Sequence, residues 1–130
     1  MKRDVNVDLG DRSYPIHIGS GNLDSLGTAC KDAGLKGRCL IVTDENVAPL
    51  YGSRAFQSLE KAGFNPALET LLAGETTKSQ AQLLNLYSKA AAHGLDRKCF
   101  MVALGGGVIG DLTGFAAASW LRGIRFVQVP

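Results

Sequence analysis

The sequence predicts an α/β fold: a parallel sheet with flanking helices, preceded by an N-terminal β-hairpin or a pair of edge strands. Three observations lead there. From residue 22 onward, short apolar runs alternate with segments of helical periodicity, the pattern of right-handed β–α–β crossovers. Residues 38–43 and 99–104 are almost wholly apolar, as strands buried on both faces are. Before residue 22, Val5–Leu9 and Tyr14–Ile18 alternate with period two around Gly10-Asp11-Arg12-Ser13.

The elements follow in order. Pro15 places the second early strand at an edge, because it lacks an N–H for a ladder. Asn22 is a candidate cap for a helix to about Ala33, with Leu23 and Leu26 inward and Gly34 as its stop. After the 38–43 strand a helix is expected from about Val47 to Ala62, stopped by Gly63. Residues 66–72 read as another strand. Thr77 and Gln80 have the spacing of a capping box opening a helix to about Ala92. Its apolar residues Leu83, Leu84, Leu86, Tyr87, Ala90 and Ala91 recur at helical spacing, and Gly94 ends it. The 99–104 strand, a triple-glycine turn, a helix over 108–121 and a strand at 125–129 complete the chain.

Composition narrows the function. A chain of 130 residues that is 45% hydrophobic supports one domain with a real core. A net charge of +2 without a Lys/Arg cluster, and few aromatics, give no nucleic-acid footprint. The N-terminus lacks the apolar run of a signal peptide, and no stretch approaches a membrane span, so a cytoplasmic chain without membrane partner is expected. Cys30, Cys39 and Cys99 form no C-x-x-C pair, and Cys39 and Cys99 sit in apolar runs as buried thiols. His17 and His93 have no second ligand at metal spacing, so no metal site is expected within these residues.

The chemistry concentrates at the glycine turn. Gly105, Gly106 and Gly107 have no Cβ, so backbone and ligand can approach closely. The first amides of the next helix have no partner within it, and with the helix dipole they attract a phosphate or pyrophosphate. Gly105, Gly107 and Gly110 match G-x-G-x-x-G between a strand and a helix. The acid that should follow about 20 residues later is missing, since Val129 and Pro130 stand there; a ribose-binding acid must precede the turn.

Ligands in open parallel sheets bind beyond the carboxyl ends of the strands, and three such ends carry polar residues. Asp44-Glu45-Asn46 offers a carboxylate for ribose hydroxyls; equally, Asp44 or Asn46 caps the next helix. Gly74-Glu75-Thr76-Thr77-Lys78 offers close approach and a cation for a phosphate, or is an ordinary helix start with solvated charges. Asp111 lies in the first turn after the glycines, where an acid is favourable with or without a ligand. Arg122, near a helix C-terminus beside Gly123, is a favourably placed cation or an anion-binding fork.

Thr43-Asp44-Glu45-Asn46-Val47-Ala48-Pro49-Leu50-Tyr51, Gly74-Glu75-Thr76-Thr77-Lys78, the run Gly105–Ala118 with Gly-Asp-Leu-Thr-Gly-Phe at its centre, Arg122-Gly123 and the opening Gly10–Ile18 together resemble the 3-dehydroquinate synthase family over essentially the whole chain. The resemblance implies a Rossmann-like NAD-binding domain of a shikimate-pathway lyase. That lyase converts 3-deoxy-D-arabino-heptulosonate 7-phosphate to 3-dehydroquinate and phosphate, using NAD and a divalent metal, zinc or cobalt. It implies that Asp44 and Asn46 hold the adenosine side of NAD, that Gly74, Glu75 and Lys78 contact the nucleotide, and that Gly106, Gly107 and Val108 lie against the pyrophosphate. Asp111 would sit near the nicotinamide ribose. Arg122 would bind the anionic sugar-acid phosphate substrate, across the interface of a homodimer.

Family members continue past Val129-Pro130 into a helical domain with the metal ligands and most substrate-binding residues. Residues 1–130 are therefore expected to be the NAD-binding N-terminal domain, without metal ligands and without complete turnover of its own. Two other readings stand beside this one. The first is the N-terminal half of a metal-dependent alcohol or glycerol dehydrogenase, which shares the glycine turn followed by an acid. The second is a domain that folds but binds nothing, or self-associates through apolar surface.

Overall fold

A computed structural model describes residues 2–130. Strands β1 (Lys2–Val7) and β2 (Tyr14–Gly19) form an antiparallel hairpin that is a sheet of its own. Helix α1 (Leu26–Asp32), β3 (Arg38–Asp44), α2 (Ser53–Lys61), β4 (Asn65–Leu71), α3 (Gln80–Ala92), β5 (Phe100–Leu104), α4 (Gly107–Ser119) and β6 (Arg125–Val129) follow. The second sheet is parallel, with strand order β4-β3-β5-β6. The expected parallel sheet, flanking helices and early hairpin are all present.

The two central strands are buried throughout, as their apolar sequences require: Cys39–Thr43 of β3 and all five residues of β5. Alternate side chains feed two cores. Cys39, Ile41, Phe100, Val102 and Leu104 pack against Leu26 and Cys30 of α1 and Ala55 and Leu59 of α2. Leu40, Val42, Met101 and Ala103 pack on the other face against Leu86 and Ala90 of α3 and Ile109, Leu112, Ala116 and Ala117 of α4. The crossover after β3 thus runs over one face and the crossover after β5 over the other. This reversal falls between β3 and β5, and open α/β sheets bind ligands beyond the carboxyl ends of the strands at such a point.

Where α1 crosses α2, Gly27 touches the Ser58 backbone, and the Ser58 hydroxyl accepts the Gly27 amide at 2.9 Å and donates to Asp24 O at 2.9 Å. Asp24 also meets Arg54 Nε at 3.1 Å, and that hydrogen bond holds its carboxyl below the usual range. The tie is complete above the ordinary aspartate range and is lost as acid protonates Asp24.

All three cysteines are free and buried, Cys30 included. Burial pushes the Cys30 thiol up to about 11 and the Cys39 thiol to about 12.

Several local expectations need correction. Asn22 caps nothing: it lies inside a single 3-10 turn, Asn22–Ser25, and its Nδ2 donates to His17 O at 3.2 Å. The helix expected from Val47 begins at Ser53, because Ala48–Gly52 with Pro49 forms a wider single turn first. Thr77 and Gln80 form no capping box. The Thr77 hydroxyl is committed to Leu72 O at 2.6 Å, and Ser79 caps α3 by accepting the Gln82 amide. In α3, Leu84 and Ala91 face outward, with Leu84 55% exposed, while Leu86 and Ala90 are buried. The helix expected to Leu121 stops at Ser119, since Leu121 and Arg122 have φ of +50° and +69°. The stops Gly34, Gly63 and Gly94 all have positive φ, at 82°, 97° and 71°. Among the described residues no helix is long and apolar enough to cross a membrane.

Candidate functional site

Strand β5 ends at Leu104, and Gly105 turns the chain at φ 156° while its amide donates to Val129 O at 3.1 Å. Gly106 is extended, at φ −82° and ψ −163°, and no side chain caps α4. The Gly110 amide, bonded to Gly106 O at 3.0 Å, is the first to close a helical turn. The amides of Gly107, Val108 and Ile109 therefore lack helical partners and point out of the α4 N-terminus. A Cβ at Gly106 or Gly107 would meet nothing within 4 Å, so these glycines leave space rather than fill a packing need. Gly110 and Gly114 differ. A Cβ there would come 3.2 Å from Gln128 Nε2 and 3.3 Å from the Phe126 ring, so these two let α4 lie close on β6. The G-x-G-x-x-G match thus divides into ligand-side and packing-side glycines.

Beyond β3, Asp44 Oδ1 accepts the amides of Asn46 and Val47, each at 2.9 Å. Asp44 is therefore the cap of its own loop, and Asn46 stands exposed beside it. Glu45, which its type and position in the Asp44-Glu45-Asn46 run give no separate role, straps this loop to the next. Its amide donates to Leu71 O at 2.9 Å and its Oε1 accepts the Ala73 amide at 3.2 Å.

Beyond β4, Gly74 has φ 109° and ψ 165°, a conformation that only glycine adopts without strain. Buried Thr77 pins the loop from below. Lys78 Nζ then lies 3.2 Å from Glu75 Oε1 and 2.8 Å from Asp111 Oδ2. The hydrogen bond to Asp111, and next that to Glu75, raise the Lys78 ammonium above the ordinary lysine range. Both pairs consequently persist across neutral pH, and the ammonium's share of them is lost as alkali titrates Lys78. A cleft of about 410 Å³ lies beside the pair, with Leu83, Leu112 and Phe115 in its wall.

Asp44, Asn46, Gly74, Glu75, Lys78, Gly106, Gly107, Val108 and Asp111 thus lie at the carboxyl end of one sheet, with Lys78 and Asp111 in direct contact. Arg122 does not join them. It follows the thirteen residues of α4, roughly 20 Å of helix from the glycine turn. No group of three or more His, Cys, Asp or Glu side chains able to hold a metal gathers among the described residues.

Residues 69–130 match the family model described as 3-dehydroquinate synthase N-terminal. A 3-dehydroquinate synthase of Desulforamulus reducens is 49% identical over 97% of this chain, and the match covers 35% of that protein. The fold superposes with TM-score 0.87 and 25% identity on 2-deoxy-scyllo-inosose synthase complexed with carbaglucose-6-phosphate, NAD+ and Co2+, covering 98% of this chain and 35% of that one. Glycerol dehydrogenase of Schizosaccharomyces pombe, at TM-score 0.64 and 17% identity, shares the fold alone. The chain spans about a third of the length of the synthases it matches.

Proposed function

We propose that this chain, which in sequence is the N-terminal part of a 3-dehydroquinate synthase-like protein, is the NAD-holding domain of an enzyme that makes 3-dehydroquinate and phosphate from 3-deoxy-D-arabino-heptulosonate 7-phosphate. The observation that carries this reading is the Lys78–Asp111 contact. It joins the loop after β4 to the open glycine turn after β5, beside the sheet's reversal point.

The residues present fit a dinucleotide. Space above Gly106 and Gly107, and unpartnered amides at Gly107 and Val108, suit a pyrophosphate. Asp44, its Oδ1 already committed to its own loop, keeps Oδ2 for ribose hydroxyls, with Asn46 at its side. Lys78 balances the carboxylates of Glu75 and Asp111, so the only ammonium in the three loops is fixed where nucleotide charge would arrive. When bound, NAD supplies reversible hydride acceptance. This chain's part is to orient the cofactor and to keep its pyrophosphate on backbone donors.

A divalent metal does not fit the residues present. We assign its ligands, zinc or cobalt being the candidates, to the two thirds of such synthases that this chain does not match, and derive no step from it here. We assign Arg122 to substrate phosphate or carboxylate in a second subunit's site, a reading that its separation from the glycine turn by the length of α4 supports. We further propose a cytoplasmic place in the shikimate pathway and no turnover by this polypeptide alone. The dehydrogenase reading is less favoured, because likeness to glycerol dehydrogenase does not extend beyond the fold.

Calorimetric titration of the chain with NAD+ tests the proposal. Weak, saturable binding is expected, with Lys78→Ala lowering affinity roughly tenfold and Lys78→Arg retaining most of it. Absence of heat at millimolar NAD+, or affinity indifferent to Lys78, counts against it.

A further inference from the structure

Between α4 and β6 the backbone turns in a conformation that its residues disfavour. Trp120 O accepts the Gly123 amide at 2.8 Å, and the two residues between them, Leu121 and Arg122, have φ of +50° and +69°. Positive φ at both central positions marks a type I′ turn, which Asn-Gly and Gly-Gly ordinarily fill. Leucine and arginine meet a steric cost there through their Cβ atoms. Among the described residues no other side chain except that of glycine sits at positive φ.

Neither side chain offsets that cost. Leu121 is 41% exposed, and Arg122 is exposed without an ion-pair or hydrogen-bond partner among the described residues. A strained turn persists only where its surroundings over-determine it, so the compensating contacts must lie in its flanks.

Those contacts centre on Trp120. Its Nε1 donates to Leu95 O at 3.1 Å, and its ring stacks on Tyr87 with centroids 5.8 Å apart and planes 25° from parallel. The Tyr87 hydroxyl is also hydrogen-bonded to the Ser119 hydroxyl, which donates to Phe115 O at 2.7 Å. The end of α4 is thus tied to α3 and to the loop that follows α3. Beyond the turn, the Ile124 amide reaches back to Ala117 O at 2.8 Å, and Arg125 Nη2 donates to Ala33 O at 3.1 Å. With both flanks pinned, Leu121 and Arg122 close the gap in the left-handed conformation, and Arg122 stands in solvent.

We propose that Trp120 is the positioning residue for Arg122. Its hook on Leu95 and its stack on Tyr87 hold the turn that presents the guanidinium to a phosphate or carboxylate. A guanidinium on a fixed backbone loses less freedom when an anion arrives. Trp120 acts only through the turn, and the inference rests on the assignment of Arg122 to a substrate anion.

A double-mutant cycle in urea unfolding tests the clamp. Arg122→Gly is expected to raise the wild-type midpoint by about 0.5 M, because glycine adopts the turn without strain. In a Trp120→Ala chain the turn relaxes, and the same exchange is expected to gain nothing. Trp120→Phe keeps the stack and loses the donor; it is expected to fall between the two, and it carries the cycle where Trp120→Ala does not fold. Anion binding is read from the Nε–Hε magnetic resonance signal of Arg122 during titration with inorganic phosphate. A weak, saturable shift is expected in the wild-type chain, with affinity about fivefold lower in the Trp120 variants. An equal midpoint gain with and without Trp120 overturns the proposal, and so does a measurable phosphate affinity that Trp120 leaves unchanged. A non-additive cycle beside a wild-type signal indifferent to phosphate supports the clamp and removes the anion from Arg122 instead.

Discussion

If the glycine turn holds NAD+ as proposed, Gly106→Val is expected to leave the chain folded and to remove measurable NAD+ binding. Gly106 has a negative φ and extended ψ, which a β-branched residue adopts without strain, and its Cβ would touch nothing within 4 Å. The fold therefore loses little, about 1 kcal/mol or less from the exchange at a helix cap. The methyl groups instead occupy the space in front of the Gly107 and Val108 amides. A pyrophosphate cannot then reach those donors, and affinity should fall by roughly two orders of magnitude. A thermal melt within a few degrees of wild type, beside a flat calorimetric titration, is the expected pair of results. Unaltered affinity would remove the glycine turn from the site.

Gly27→Ala acts in the opposite way, destroying stability without approaching the site. Its Cβ would stand 2.0 Å from Ser58 O, 2.7 Å from Ser58 C and 2.8 Å from Ala62 Cβ. Two of these atoms are backbone, so no side chain can swing aside. Helices α1 and α2 must part, and Ser58 then loses its hydrogen bonds to Gly27 and Asp24. A loss of about 3 kcal/mol or more is expected, a large share of a small domain's stability. Urea unfolding measures it. Gly52→Ala is the control: its backbone is helical and the added Cβ finds Leu68 at an ordinary 3.5 Å, so the midpoint should hold or rise.

The strands and their order of appearance were legible because each carries its own burial in its composition. Cys39–Thr43 and Phe100–Leu104 have no polar face to show, and a strand with no polar face must lie between two layers. Period-two alternation also exposed the hairpin. It could not show that the apolar side of that hairpin finds no cover within its own chain, since cover is a property of other elements.

Helix starts were read less well. A hydroxyl three residues before a glutamine signals a cap only if that hydroxyl is free, and Thr77 had already bonded to Leu72 O. The candidate site divides similarly. The glycine turn and the polar residues at three strand ends stood out by type and position. The contacts that weld them, Lys78 to Asp111 and Glu45 to Ala73, join residues 33 and 28 positions apart. Only the crossovers of the sheet bring those together, so no local spacing announces them. The strap role of Glu45, within the Asp44-Glu45-Asn46 run, is invisible in the sequence for that reason.

Cys30, Cys39 and Cys99 are enclosed by the packing that forms the two cores. Near neutrality Cys30 and Cys39 are held as S–H, a form that reacts slowly with alkylating or oxidising agents even when such agents can reach it. Modification by a maleimide should then be paced by excursions that separate helices from strands, and its rate should climb with urea in step with unfolding. The native chain thus contains its own clock for conformational breathing and needs no engineered label to read it.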